Sequence, residues 1–278
     1  MKIALFDAGA GPRTGVVKGD RIYPTGLAGS TVDLIERWNE LAPGLAGVGT
    51  GEGHALSAVR LLAPVPRPGK IFAIGLNYAD HIAESAMGTP ECQVWFTKAV
   101  TSINPPYAPV LIARGAPKVD YEVEMVAVIG KRGKHIARED AHRHVFGYCV
   151  GNDVTERGWQ LETPQWSLGK SFDTHAPIGP WITTTDEIGD PHGLDLSCSV
   201  NGEVRQSSNT RHLVFNLWDQ IAHLSQAMTL EPGDLLFTGT PGGVGMAMKP
   251  PQFLKAGDTV RCEIAGLGAI ETTMQDEA

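Results

Sequence analysis

The chain has 278 residues, 42% of them hydrophobic and 19% charged, as expected for a globular protein with one large domain or a large and a small one. The formal net charge of -8, without a basic stripe, argues against nucleic-acid binding. No apolar run approaches the roughly 20 residues of a membrane span, and the run after Lys2 is too short for a secretory signal.

The four cysteines are scattered along the chain and form no CxxC pair: Cys92, Cys149, Cys198 and Cys262. This spacing predicts free thiols in a reducing cytoplasm and argues against a soft-metal site. We therefore expect a cytoplasmic protein without disulfides.

The N-terminal part begins with residues 2–24, whose short apolar runs and glycines predict strands joined by turns. Residues 31–45 predict one helix, capped by Ser30 or Thr31. Three prolines between residues 63 and 70 then predict a stiff, extended connector. We place a boundary there, between a small N-terminal β-rich domain (1–65) and a catalytic domain (66–278).

The second part is also predicted to be mainly β. Asn201-Gly202 and the glycines around Leu267 predict two hairpins. Residues 77–85 predict a short helix, and residues 209–228 predict an amphipathic helix with an apolar stripe. Regular βαβ alternation is absent from the pattern, so the fold class is mainly β with α+β elements.

The stretch DYEVEMVAVIG, residues 120–130, places acids in an otherwise apolar strand. Because alternate residues share a face, Glu122 and Glu124 lie side by side at the start of one face. Buried like charges need neutralisation, either by a base such as Lys118 or Lys131 or by a hard divalent cation. The competing interpretation is an edge strand with solvated glutamates.

Two further stretches indicate a site. An apolar strand runs into Asp153, which is typical of a site residue or of a helix N-cap. FTGTPGGVG, residues 237–245, follows a strand, but its spacing fits neither dinucleotide-binding nor Walker patterns. It predicts either a loop whose backbone approaches a ligand closely or a structural turn.

Together these stretches resemble the fumarylacetoacetate hydrolase family. The resemblance covers roughly residues 65–270, and its motifs occur in the family's order: IFAIGLNYADHIAES, WFTKAVTSI, DYEVEMVAVIGKRG, GYCVGNDVTERGWQ, GKSFDTHAPIGPWI, VNGEVRQSSNT and PGDLLFTGTPGGVG. It implies a mixed β-roll fold and a homodimer. His175 departs from the family pattern, in which Phe or another uncharged residue is usual at this position.

The resemblance also implies the site residues. The metal ligands would be Glu122, Glu124 and Asp153, with Mg²⁺ as the cofactor and Mn²⁺ as the alternative. The catalytic group would be His81, Glu84 and Lys170. The i, i+3 spacing of His81 and Glu84 independently places them on one helical face. Substrate contacts would come from Arg157, Gln160 and Thr240.

Members of this family cleave or rearrange small keto acids. The resemblance therefore implies a metal-dependent hydrolase that cleaves a C–C bond in a 2,4-diketo acid of the acylpyruvate type. The alternatives are oxaloacetate decarboxylation, keto–enol or double-bond isomerisation of a small 2-oxo acid, and a ureidoglycolate-type lyase. A non-enzymatic acid-binding protein with a structural Ca²⁺ would need neither His81 nor Lys170. We expect no nucleic-acid or membrane partner.

Overall fold

The computed structural model describes residues 1–27, 30–49, 52–85, 88 and 90–278. Within these ranges the α-helices are α1 (Thr31–Glu36), α2 (Trp38–Leu45), α3 (Ala79–Ser85), α4 (Arg157–Glu162), α5 (Thr185–Ile188) and α6 (Leu217–Ala227). Short 3₁₀ helices span Leu56–Ala58, Val100–Ser102, Arg138–His144, Thr210–His212 and Gly245–Ala247. None of the described helices has the length and apolar character that crossing a membrane requires.

The strands dominate the fold, as predicted. The first ten are β1 (Lys2–Asp7), β2 (Pro12–Lys18), β3 (Arg21–Pro24), β4 (His54–Ala55), β5 (Arg60–Leu62), β6 (Ile71–Gly75), β7 (Val94–Thr97), β8 (Ile103–Asn104), β9 (Val110–Ile112) and β10 (Val119–Asp120). The others are β11 (Val123–Ile129), β12 (Val145–Asn152), β13 (Thr155–Glu156), β14 (Ala176–Thr184), β15 (Asp195–Val200), β16 (Glu203–Asn209), β17 (Leu235–Phe237), β18 (Thr259–Ile264) and β19 (Gly268–Asp276).

Two large sheets organise these strands. The first has the order β4-β3-β2-β1-β14-β12-β11-β17-β6-β7, with β5 beside β1 and β8 beside β14. The second has the order β16-β15-β18-β19-β9, and β10 pairs separately with β13. Because β1 pairs with β14, the N-terminal strands extend the sheet of the main body. The domain boundary near residue 65 stays a prediction.

Strand β11 lies inside the first sheet between β12 and β17, and both of its faces are buried. One face packs in a core shared with the second sheet and α6, through Val123, Met125, Ala127 and Ile129. The other face packs in a core with α1 and α2 through Val126 and Val128. The predicted alternation is confirmed, and the edge-strand interpretation is wrong.

The two predicted hairpins are confirmed as β15–β16 and β18–β19. In the first turn Asn201 and Gly202 both have positive φ angles, 53° and 82°, which these residue types tolerate best.

Two helix predictions need correction. The helix predicted over 31–45 is interrupted at Arg37, where ψ is 16°, so α1 and α2 are separate; Ser30 caps α1 as predicted. The helix predicted over 209–228 begins only at Leu217. Asn216 caps it by accepting bonds from the backbone N–H groups of residues 218 and 219, and Asn77 binds the backbone of residues 214 and 215 outside the helix.

Candidate active site

The three acids singled out in the sequence come together where β11 and β12 meet. One carboxylate oxygen each of Glu122, Glu124 and Asp153 lies within 4.8 Å of the others, and all three residues are buried. The pairing of β11 with β12 explains this position: Val123 lies opposite Asn152, and the Asp153 N–H donates to the Glu122 carbonyl. Register alone therefore places these acids side by side.

Glu122 is neutralised by two cations distant in sequence. Lys170 Nζ lies 2.7 Å from Glu122 Oε2, and Arg157 Nη1 lies 2.7 Å from Glu122 Oε1. Burial raises the pKa of Glu122, but Lys170 and Arg157 outweigh it and lower the pKa to about 2. The sequence pointed to Lys118 or Lys131 as neutralising bases, and neither has this role. Residues from a later loop and helix take it instead.

Glu124 has no comparable partner among the described side chains. Its Oε2 accepts a 2.7 Å bond from the Gly239 N–H. Burial, together with the charges of Asp153 and Glu122, raises its pKa well above the ordinary value. A compact set of carboxylate oxygens, in which Glu124 has no cation partner at hydrogen-bond distance among the described side chains, suits a hard divalent cation. The oxygens of the three acids lie within 4.8 Å of one another, and those around octahedral Mg²⁺ lie roughly 3–4 Å apart.

Two lysines bind the opposite oxygens of Asp153. Lys170 Nζ lies 2.7 Å from Oδ2, and Lys98 Nζ lies 2.7 Å from Oδ1. Burial lowers the pKa of Lys98, and Asp153 opposes that shift. Burial also lowers the pKa of Lys170, but Asp153 and Glu122 reverse the shift, so the net pKa is raised. The sequence analysis missed Lys98, although a lysine directly after the apolar strand β7 was a visible signal.

His81 and Glu84 lie on α3 and contact each other as the spacing predicted. His81 Nδ1 is 2.9 Å from Glu84 Oε1, and the two side chains are 12% and 24% exposed. Glu84 Oε2 also accepts a 2.8 Å bond from the Gly243 N–H. An ionised carboxylate only accepts hydrogen bonds, so this contact places a proton on Nδ1, and in the neutral imidazole Nε2 then keeps a lone pair.

The glycine-rich loop holds these acids through its backbone. Besides the amides of Gly239 and Gly243, the Gly242 N–H donates to Asp80, and the Gly245 and Met246 N–H groups donate to Asp120. Gly243 has φ of 101°, and a Cβ there would lie 2.0 Å from the Arg205 carbonyl oxygen. The loop backbone approaches the protein's own carboxylates closely, and its predicted approach to a ligand stays a prediction.

The three predicted substrate contacts, Arg157, Gln160 and Thr240, line the same cavity as Glu122 and Glu124. Arg157 binds the buried Asp120 through Nε and Nη2, each at 2.9 Å, and its Nη1 donates to Gln160 Oε1 at 3.0 Å. The Thr240 hydroxyl donates to the Val123 carbonyl and accepts from Gln206, so its proton is already used. The sequence analysis gave no role to Asp120 or Gln206, which hold these residues in place.

A single cavity brings the predicted residues together. Its lining includes an acidic and basic side and an apolar side formed by Ile74, Leu76, Phe96, Leu161, Trp166 and Met246. Seven of the nine residues predicted from the sequence line it, namely His81, Glu122, Glu124, Arg157, Gln160, Lys170 and Thr240, and Glu84 contacts one of them, His81. Asp153 lies behind this surface, fully buried, between Lys98 and Lys170.

Comparison with known proteins identifies the family. The family model described as Fumarylacetoacetate (FAA) hydrolase C-terminal matches residues 70–275, and one described as Rv2993c-like, N-terminal, matches residues 1–64. Oxaloacetate tautomerase Fahd2a, mitochondrial, of Rattus norvegicus is 52% identical over 215 residues, covering 77% of this chain and 69% of that protein.

Two solved structures extend the likeness over the full length of each chain. Fumarylacetoacetate hydrolase from psychrophilic Exiguobacterium antarcticum superposes with a TM-score of 0.90 at 36% identity, covering 100% of both chains. Maleylpyruvate hydrolase from Sphingobium sp. SYK-6, in complex with manganese (II) ion and pyruvate, gives a TM-score of 0.85 at 34% identity with the same coverage. The chain has the fold of these enzymes, and it belongs to the fumarylacetoacetate hydrolase family.

Proposed function

We propose that the protein catalyses metal-dependent enolisation of a small 2-oxo acid, with keto–enol tautomerisation of oxaloacetate as its first activity. The observation that carries this proposal is the position of a buried acidic triad and a histidine–glutamate pair at one cavity. The tautomerase of R. norvegicus, at 52% identity, supports the choice of substrate. The reaction moves one proton between carbon 3 and the oxygen on carbon 2.

Glu122, Glu124 and Asp153 would hold Mg²⁺, or Mn²⁺ as in the maleylpyruvate hydrolase complex. A bound divalent ion would supply Lewis-acid polarisation of the 2-oxo group and help to orient the substrate carboxylate. The chain's own groups must then move the proton and stabilise the charge that develops on oxygen.

His81 is the group that moves the proton. Its Nδ1–H is held by Glu84, so Nε2 can take a proton from carbon 3 of the keto form and deliver it to the oxygen on carbon 2, and the reverse transfer restores the keto form. Glu84 keeps the ring in this tautomer and stabilises the imidazolium that forms. Lys170 uses two N–H groups on Glu122 and Asp153, which leaves one to donate to the oxygen on carbon 2.

A second candidate is the C–C hydrolysis of an acylpyruvate, which the sequence analysis placed first. The 34%-identical maleylpyruvate hydrolase favours it. Here His81 would remove a proton from water, and the hydroxide would attack the distal carbonyl. The enolate left by bond cleavage would have its charge on the same oxygen near Lys170, and His81 would then give the proton to carbon 3 of the enolate to complete pyruvate. Both candidates therefore need the same residues.

The experiment compares three reactions of one preparation freed of metal by chelation and then reloaded with Mg²⁺ or Mn²⁺. Loss of enol absorbance reports tautomerisation of oxaloacetate, and released pyruvate reports acylpyruvate hydrolysis. Released CO₂ reports decarboxylation, and metal without protein is the blank for all three.

We expect metal-dependent tautomerisation with the highest kcat/KM. A higher value for acylpyruvate would assign the protein to the second candidate. Rates equal to the blank in all three assays would contradict the proposal.

A further inference from the structure

Lys98 is a second buried lysine at the acidic triad. Its side chain has no exposed surface. The ammonium donates to Asp153 Oδ1 at 2.7 Å, to the Val154 carbonyl at 3.4 Å and to the Lys170 carbonyl. A lysine ammonium has three N–H groups, so all of them are used within the protein. Lys98 therefore has no donor left for a substrate.

Lys170 differs from Lys98 in this respect. It makes two hydrogen bonds, to Glu122 and Asp153, and it lines the cavity. Lys98 is not among the described residues that line the cavity. The two lysines bind opposite oxygens of the same carboxylate, one facing the site and one behind it. Lys170 can therefore donate a hydrogen bond into the cavity, whereas Lys98 can only hold groups of the protein itself.

The contacts of Lys98 join three segments of the chain at the site. Lys98 directly follows β7, Asp153 and Val154 directly follow β12, and Lys170 lies on the loop before β14. Its bond to Oδ1 fixes the rotation of the Asp153 carboxylate, which leaves Oδ2 directed toward Lys170 and the triad. Its bond to the Lys170 carbonyl fixes the backbone from which the Lys170 side chain projects.

We infer that Lys98 is a positioning residue, which orients Asp153 as a metal ligand and sets the place of Lys170. The inference rests on the metal centre of the proposed function. Outer partners that orient metal ligands are typically worth about 10–100-fold in metal affinity or activity. Lys98 has the same relation to Asp153 that such partners have to a ligating side chain.

Charge alone and positioning predict opposite results for Lys98→Met. Removal of a positive charge beside a cation site would strengthen metal binding by reducing repulsion. Loss of the bond to Oδ1 would weaken it, because the carboxylate could turn away from the triad. Methionine nearly preserves the length of the side chain, so the change in packing volume is small, but it donates no hydrogen bond. Lys98→Gln restores one N–H donor without the charge.

The experiment measures Mn²⁺ affinity through the loss of the free-ion electron paramagnetic resonance signal on binding. We expect Lys98→Met to bind Mn²⁺ about 10–100-fold more weakly than wild type, and Lys98→Gln to lie between them. The matched control is Lys70→Met. Lys70 Nζ lies 2.8 Å from the buried Asp234 Oδ2, and neither residue is among those that line the cavity. This variant should lose thermal stability and keep wild-type Mn²⁺ affinity.

Each contrary result has a defined meaning. Unchanged or tighter Mn²⁺ binding by Lys98→Met would overturn the positioning role while leaving the metal centre in place. An equal loss of affinity in Lys70→Met would show that destabilisation is the cause. If neither Lys98 variant folds, Lys98 is required for folding itself, and the inference fails. Absence of Mn²⁺ binding by wild type would remove the metal centre, and both proposals with it.

Discussion

The acids at the floor of the cavity lie in or next to the paired strands β11 and β12, whereas its rim lies on a helix of seven residues held by loop amides. The floor is formed by Glu122, Glu124 and Lys170, which line the cavity, with Asp153 and Lys98 directly behind them, all buried. The rim comprises His81 and Glu84, which are 12% and 24% exposed. A ladder of backbone hydrogen bonds fixes the floor, while the rim depends on a helix shorter than those that are stable alone.

In the proposed function, this difference separates metal binding at the floor from proton transfer at the rim. The floor concentrates charge where water is excluded, so its interactions are strong and costly to disturb. The rim needs access to the substrate and keeps a histidine close to solvent. We therefore expect changes at the floor to alter metal binding, and changes at the rim to alter proton transfer without altering metal binding.

The largest effect should follow Glu124→Gln at the floor. Its amide can still accept the Gly239 bond, and no cation loses a partner at hydrogen-bond distance. Because burial already raises the pKa of Glu124, the metal-free variant should be at least as stable as wild type. Metal affinity should fall by more than roughly 100-fold, since outer-shell partners alone contribute about 10–100-fold. Calorimetric titration with Mg²⁺ and urea unfolding measure the two quantities.

Glu122→Gln and Asp153→Asn are the companions to this variant. They should also lose metal binding, but each leaves a buried lysine or arginine short of a partner. Breaking a buried ion pair typically costs about 3–5 kcal/mol of folding free energy. Unchanged Mg²⁺ affinity in all three variants would rule out the triad as the metal site.

His81→Ala tests the rim. General-base assistance is typically worth about 10²–10⁴-fold, so kcat for tautomerisation or hydrolysis should fall by that factor. Any decarboxylation of oxaloacetate should fall less, because loss of CO₂ depends on electron withdrawal more than on a base. Mg²⁺ affinity should stay within roughly threefold of wild type, well below the effect of a lost ligand.

His223→Ala is the matched control for the rim, since His223 contacts Trp95 and is not among the described residues that line the cavity. It should retain full activity. A loss of metal binding in His81→Ala would mean that floor and rim are one unit. Equal losses in decarboxylation and hydrolysis would remove the water-activating role of His81.

Lowering the pH should destabilise the folded protein through the buried side chain of His175. Burial lowers its pKa to about 3, with Lys98 lowering it further and the bond from Nε2 to the Leu111 carbonyl opposing the shift. The unfolded chain, with an ordinary histidine pKa of about 6.5, binds more protons between these two values. Stability is therefore lost as the pH falls through about 6.5, and the loss stops near the folded pKa.

Between about pH 7.5 and pH 5 this single group should cost about 2 kcal/mol of unfolding free energy. His175→Gln can still donate to the Leu111 carbonyl and does not titrate. Urea unfolding of both proteins at the two pH values isolates the contribution, because the other titrating groups are common to both. An identical loss of stability in both would show that His175 is not the responsible group.

The floor could be predicted from the sequence because a period of two and strand pairing determine it. Alternation placed Glu122 and Glu124 on one face, and the family resemblance placed Asp153 beside them. The partners of Lys98 and Asp120 could not be assigned, since their contacts join segments that are distant in sequence. The same reason explains why Lys118 and Lys131, close in sequence, were wrong as neutralising bases.

Helix ends were less predictable than strands. Hydrophobic spacing identified the buried stripe of α6, Leu217, Ile221 and Leu224, but not its start. The start is set by the side chain of Asn216 and by Asn77 from another part of the chain. Likewise, the glycines of residues 239–245 indicated a close approach, but only the folded chain shows which carboxylates approach. Hydrophobic spacing and glycine positions therefore predict local structure, whereas contacts between distant segments determine where a helix begins and which side chains a loop contacts.

The smallest effect at the rim should follow Glu84→Gln. Glu84 accepts one bond on each oxygen, from His81 Nδ1–H and from the Gly243 N–H. Glutamine has one acceptor oxygen and one donor group, so it can satisfy only one of these two donors in the present arrangement. If the oxygen stays on Gly243, the amide N–H group faces His81 Nδ1 and favours the tautomer with the proton on Nε2. That tautomer lacks the lone pair needed to take a proton from the substrate.

For Glu84→Gln we expect kcat to fall by about 10-fold, less than for loss of the base itself, with KM and Mg²⁺ affinity unchanged. Steady-state kinetics beside His81→Ala measure the ratio. A loss as large as that of His81→Ala would make Glu84 as necessary as the base, and wild-type kcat would mean that the Glu84 charge supports only the loop around Gly243.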